Sequence, residues 1–108
     1  MTAIDLNKEL FDKYTNDTSK PVLVDFWAPW CVYCRRIAPG LNILAEQYKD
    51  ILVIGKINID DEQDLAVKEQ FEVFPTLVIY QSEQALGSIV APESKAQIEA
   101  FIKETLHI

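Results

Sequence analysis

The chain's two cysteines both fall in one C-x-x-C, Cys31-Val32-Tyr33-Cys34. Two intervening residues let the sulfurs meet as a disulfide across a single turn, so the pair can cycle between dithiol and disulfide. The motif stands where an apolar run, VLVDFW, passes through APW into a stretch with helical spacing. A helix N-terminus presents unpaired backbone N–H groups and the positive end of the helix dipole. Both would stabilise a thiolate at Cys31 and make it the nucleophile at neutral pH. Cys34, one turn deeper, is less accessible and is placed to attack a mixed disulfide.

Other uses of paired cysteines fit less well. Zinc takes a full tetrahedral set of ligands, and the chain adds to its C-x-x-C only a single histidine, His107, near the C-terminus. Only a site shared between copies would supply the rest. Fe–S ligation meets the same shortage. A purely structural disulfide closes too short a loop to restrain the unfolded chain, and a reducing compartment would keep it open. These residues favour a redox dithiol with no metal and no bound cofactor.

Length and composition bound what surrounds this centre. One compact domain, residues 1–108, accommodates the chain, since domains commonly run to about 100–150 residues. With 49% hydrophobic and 25% charged residues, it reads as an ordinary globule rather than a disordered chain. Its 17 acids against 10 bases leave a net charge of −7. That argues against nucleic acid, whose phosphates need a basic face, and against anionic membrane surfaces. The opening MTAIDLNKELFDKY has no basic segment followed by a long apolar one. No apolar run approaches the roughly 20 residues of a membrane span. The chain therefore reads as soluble and cytoplasmic, and a monomer is the expectation.

The elements that position Cys31 follow from where the apolar period changes. Leu6, Leu10, Phe11 and Tyr14 lie at helical spacing, with Asn7 or Asp5 available as a cap, and the polar TNDTSKP ends that helix. After Pro21, VLVDFW is nearly all apolar and rich in β-branched residues, the pattern of a strand buried on both faces. Ile37, Leu41, Leu44, Ala45 and Tyr48 place a helix from Cys31 to Tyr48. Pro39 lies inside it, where proline removes one backbone bond and kinks a helix. ILVIGKINI reads as a second strand, and residues 61–71 as a short helix capped by Asp60 or Asp61. TLVIY and ALGSIV read as two strands joined through QSEQ. Ile98, Phe101, Ile102 and Leu106 mark a closing amphipathic helix from Pro92 to Leu106, begun by Glu93 or Ser94. Alternating β and α units predict an α/β fold, a small mixed β-sheet sandwiched by helices and ending in an antiparallel hairpin.

VDFWAPWCVYCRRIAPGL, KINID and FPTLVIY together resemble the thioredoxin family, and the likeness spans nearly the whole chain. It implies a thioredoxin fold and a protein-disulfide reductase in which Cys31 is the attacking thiol and Cys34 the resolving thiol. Asp25 stands in an apolar strand, where a charge is costly unless neutralised or used. By resemblance it manages the proton of Cys34; a buried structural carboxylate is the plainer alternative. Lys56 matches the family lysine close to that carboxylate. Pro75 matches the family's cis-proline, which lies against the disulfide and leaves the preceding backbone, at Phe74, free to pair with an extended target segment. An ordinary trans-proline at a strand start is the alternative there. Trp27 and Trp30 match the tryptophans beside the active site, Trp27 mainly as core and Trp30 as a shield for the sulfurs. The resemblance further implies electrons from NADPH through a flavoprotein, thioredoxin reductase, and proteins with disulfides as substrates.

The chain departs from the family around Cys31. Val32-Tyr33 replaces the usual Gly-Pro, and Val73 and Ala91 stand where the family often has glycine. Trp30, Val32, Tyr33, Val73, Phe74, Pro75 and Ala91 are expected to form a bulky, target-binding rim. Loss of the stiffening proline is expected to give a less reducing couple, and side chains in place of glycines to narrow the range of targets. A tyrosine before the second cysteine resembles glutaredoxins and some periplasmic disulfide isomerases, which keeps an oxidase or isomerase open as an alternative. A non-catalytic binding subunit of the same fold is a third reading, against which the intact Cys31, Cys34 and Asp25 weigh. Arg35 and Arg36 read as solvated surface cations or, for Arg35, as positive potential near Cys31 or a contact to a partner. Asp60, Asp61, Glu62 and Asp64 read as a solvated helix start, and His107 as frayed tail.

Overall fold

Val22, Leu23 and Val24 point alternately to opposite faces of a strand, so a layer of helices is needed on each side. In the computed structural model, which describes residues 2–69 and 71–108, the chain supplies them. The elements run β1 (Ile4–Asp5), α1 (Lys8–Thr15), β2 (Val22–Trp27), α2 (Val32–Gln47), β3 (Val53–Asn58), α3 (Gln63–Lys68), β4 (Thr76–Gln81), β5 (Gln84–Val90) and α4 (Lys95–Leu106). The strands form one five-stranded sheet in the order β1-β3-β2-β4-β5. β1, β3 and β2 are parallel, while β4 and β5 run antiparallel to their neighbours. The expected α/β fold with a small mixed sheet is the one observed.

The strand alternation divides the core in two. Val22, Val24 and Phe26 pack with Phe11 of α1, Leu65 of α3, and Val78 and Tyr80 of β4. On the other face Leu23, Leu77 and Ile79 pack with Ile37, Leu41 and Leu44 of α2 and with Ile98 and Ile102 of α4. By the same alternation, Asp25 belongs to the face that α2 covers. α2 runs unbroken through Pro39, which has no N–H to offer the Arg35 carbonyl. Gly40 lets α2 and α4 approach, since a Cβ there would stand 3.0 Å from the Cβ of Lys95.

Several boundaries differ from the sequence expectation. β3 is shorter than residues 51–59, because Ile51 and Leu52 turn back onto the Tyr48 carbonyl that closes α2. The short helix is Gln63–Lys68, with Glu62 rather than Asp60 or Asp61 at its cap position and no side-chain bond there. Gln70, within the span expected for that helix, lies outside the described residues. α4 starts at Lys95, not Pro92: Ser94 caps it by accepting the Gln97 N–H at 3.2 Å. Asn7 caps α1 in the same way, through the Leu10 N–H at 2.9 Å. Between β4 and β5 lies a tight turn in which Ser82 and Glu83 have φ of 53° and 68°, the left-handed pair that a two-residue hairpin requires. No helix among the described residues is long and apolar enough to cross a membrane.

Candidate functional site

β2 ends at Trp27, and three residues later the chain turns into α2. The Cys31 N–H closes that turn on the Ala28 carbonyl at 3.1 Å. Cys31 is the N-cap residue of α2, with φ −90° and ψ 109°, and its Sγ accepts the backbone N–H of Cys34 at 3.2 Å. That N–H would otherwise be one of the helix's unpaired donors. Cys31 and Cys34 are joined as a disulfide, with Cα atoms 5.2 Å apart. Both are buried, Cys31 being 6% exposed and Cys34 3%.

The segment before β4 approaches the same sulfur. The carbonyl oxygen of Phe74 lies 3.5 Å from Cys31 Sγ, and the Phe74–Pro75 bond is cis. Pro75 in turn accepts the Ala91 N–H at 2.7 Å, which ties the end of β5 to this segment. The Thr76 hydroxyl donates to the Val73 carbonyl. Trp30 is 63% exposed, meets the Phe74 ring edge-on with centroids 6.2 Å apart, and donates its indole N–H to Asp60 at 3.3 Å. Val32, Tyr33 and Val73 are exposed around the disulfide, whereas Phe74 and Ala91 are half-buried.

Two further residues singled out from the sequence lie on the neighbouring strands β2 and β3. Asp25 is 2% exposed and its Oδ1 is buried without a hydrogen-bond partner. Burial pushes its carboxyl up to about 7, and the Lys56 charge pulls in the opposite direction. Lys56 pairs with Asp25 in the β2–β3 register and with Asp5 in the β1–β3 register. Its ammonium lies 3.6 Å from an Asp5 carboxylate oxygen and 5.4 Å from the centre of the Trp27 ring. The Trp27 indole N–H is buried and unpartnered. Among the described residues, no group of His, Cys, Asp and Glu is arranged to hold a metal ion.

Three arrangements at the site carry no decisive signal in the sequence reading of single elements. Asp60 belongs to Trp30 rather than to the cap of α3, and two residues thirty positions apart carry no local signal for that bond. Arg35 is tied by a hydrogen bond of 3.1 Å to the Pro29 carbonyl, across the turn that carries Cys31. Arg36 lies over the Tyr33 ring, 5.2 Å from its centre. The i, i+3 spacing of that last pair was visible, but its use depended on where α2 begins.

A sequence profile of the thioredoxin family matches residues 2–104. A thioredoxin of Acidithiobacillus ferridurans is 37% identical over 101 residues, covering 94% of each chain. One from Buchnera aphidicola subsp. Baizongia pistaciae is 35% identical over 99 residues, covering 92% of this chain and 91% of its own. A chloroplastic M-type thioredoxin of Chlamydomonas reinhardtii is 34% identical over 102 residues, covering 94% of this chain and 73% of its own. The chain belongs to the thioredoxin family and, with its Cys31–Cys34 pair, is a thiol–disulfide oxidoreductase that reduces protein disulfides.

Proposed function

We propose that this thioredoxin-family chain works with Cys31 as the attacking thiol and Cys34 as the resolving thiol. The Cys31 thiolate attacks one sulfur of a target disulfide. That S–S bond breaks, a Cys31–target disulfide forms, and one target thiol leaves. Deprotonated Cys34 then attacks Cys31 Sγ, the Cys31–Cys34 disulfide forms, and the second target thiol leaves. Two electrons pass from chain to target. The observation that carries this assignment is the N-cap position of Cys31, where the Cys34 N–H points at Sγ from 3.2 Å. A backbone donor and the helix dipole favour the anionic sulfur.

Asp25, with its carboxyl near 7, is suited to hold and release a proton for Cys34 at neutral pH. Lys56 tunes that carboxyl by its charge. The target segment lies along Phe74 and Pro75, flanked by Trp30, Val32, Tyr33, Val73 and Ala91, with the side chains at Val73 and Ala91 narrowing the choice of targets. The dithiol is regenerated by NADPH through thioredoxin reductase, and the chain acts as a cytoplasmic monomer.

Reduction of insulin disulfides with NADPH and thioredoxin reductase tests this reading. The parent chain is expected to turn over and Cys31→Ser to be inactive. Turnover by Cys31→Ser would remove Cys31 as the nucleophile, and silence of the parent with this reductase would remove the assigned electron donor.

A further inference from the structure

Tyr33 and Arg36 stand one turn apart at the start of α2, with the Arg36 guanidinium 5.2 Å from the centre of the Tyr33 ring. A guanidinium stacked on a ring uses its face. Its N–H donors lie in the guanidinium plane and stay available at the edge, in the fork that matches a carboxylate. Arg35 and Arg36 are the only arginines in a chain of net charge −7. Among the described residues neither forms an ion pair. Arg36 and Tyr33 line a cavity of about 380 Å³ together with Ile37, Pro92 and Glu93. Ile37 and Pro92 are buried and give it an apolar floor, while Glu93 is exposed at the opposite lip. The cavity adjoins the segments that carry the disulfide site in sequence, since Tyr33 belongs to the C-x-x-C turn and Pro92 follows Ala91, whose N–H is bonded to Pro75.

We propose that this cleft is a side-chain subsite for the target protein, and that Arg36 selects targets carrying an acidic residue beside the reactive cysteine. The inference rests on the disulfide-reductase reading above. The apolar floor takes the methylene stem of the target's Glu or Asp, and the edge of the Arg36 guanidinium takes its carboxylate. Tyr33 holds Arg36 in place. Glu93, whose backbone N–H is bonded to Gln97 Oε1 at 2.8 Å, opposes an acidic occupant and limits the selectivity.

The test uses the pre-reduced protein in single turnover against three peptides. Each is closed by one disulfide, and they differ only in having Glu, Gln or Lys beside a cysteine. The Glu peptide is expected to be reduced about fivefold to tenfold faster than the Gln peptide, the scale of the net contribution of one ordinary hydrogen bond. Arg36→Met should bring the Glu:Gln ratio close to one, Arg36→Glu should turn the preference to Lys, and Glu93→Gln should raise the ratio. A ratio within one variant is insensitive to a general loss of rate. Equal rates for the parent, a ratio unchanged in Arg36→Met, or a parent preference for Lys would overturn the subsite. Failure of the parent to reduce even the Gln peptide would instead overturn the reductase reading on which it rests.

Discussion

Asp25 and Lys56 stand opposite each other in the parallel β2–β3 ladder, yet the lysine ammonium is engaged elsewhere, 3.6 Å from Asp5 and over the Trp27 ring. Lys56 has a carboxylate beside it on each side of the cross-strand row, Asp5 on β1 and Asp25 on β2. The Asp5 side chain is 84% exposed, so that contact is a weak surface pair. Asp25 is left buried with Oδ1 unbonded, and its carboxyl is held near 7. A group that titrates there can move a proton in either direction at physiological pH.

The same burial makes Asp25 a stability liability with a definite sign. Its folded-state value is raised from 3.8 to about 7, so the folded chain holds the proton more tightly than the unfolded one. Its contribution is fully present below about pH 4 and is lost as pH rises through about 7. Asp25→Asn is therefore expected to stabilise the oxidised protein in urea unfolding. Its advantage over the parent should grow by about 2–4 kcal/mol between about pH 4 and pH 8. Parallel curves for the two proteins would contradict a raised Asp25.

Lys56→Met removes the one charge that pulls Asp25 back toward ionisation. The pH midpoint of the step that releases target from Cys31 should then move up, by about half a unit to one unit. Mixed-disulfide decay followed by rapid quench at a series of pH values reads this directly. An unmoved or lowered midpoint would show that Lys56 acts through Asp5 and Trp27 alone.

Ala91 is held at φ 48° by its bond to Pro75, and Ser82 and Glu83 lie in the left-handed region as well. None of the three is glycine, the residue that adopts this region at least cost. Ala91→Gly is expected to raise stability by about 1 kcal/mol, and Ser82→Asn with Glu83→Gly by about 1–2 kcal/mol. Urea midpoints below the parent's would show that the side chains contribute more than their backbone strain costs.

Replacing Val32-Tyr33 by Gly-Pro stiffens the turn between the sulfurs. The couple is expected to become more reducing by some tens of millivolts, where about 30 mV corresponds to 1.4 kcal/mol. Equilibration with glutathione buffers measures it. No shift, or a shift to a less reducing couple, would remove the dipeptide as the origin of a milder potential.

Much of this was legible in the residues themselves. A strand apolar on both faces demands two helical layers, and a C-x-x-C after it falls at a helix N-terminus; Cys31 is the N-cap of α2. Asn7 and Ser94 are each one of two starts the sequence offers, Asp5 and Glu93 being the others, because a polar side chain precedes each apolar period. What was not legible depends on tertiary contact. α4 starts later than the sequence alone suggests, since Pro92 suits a first helical turn and nothing local marks Ala91 as left-handed. Asp60 reads as a helix start until Trp30 is brought beside it. The position of the Lys56 ammonium follows from β1, a two-residue strand with no period of its own.

The division of labour between the cysteines is tested most directly by trapping. Cys34→Ser, reduced and mixed with a disulfide-bonded protein, is expected to accumulate a covalent adduct that peptide mass mapping places on Cys31. Reduced Cys31→Ser under the same conditions should form none. An adduct on Cys34 in the Cys31→Ser variant, forming as fast as that on Cys31, would contradict the assignment.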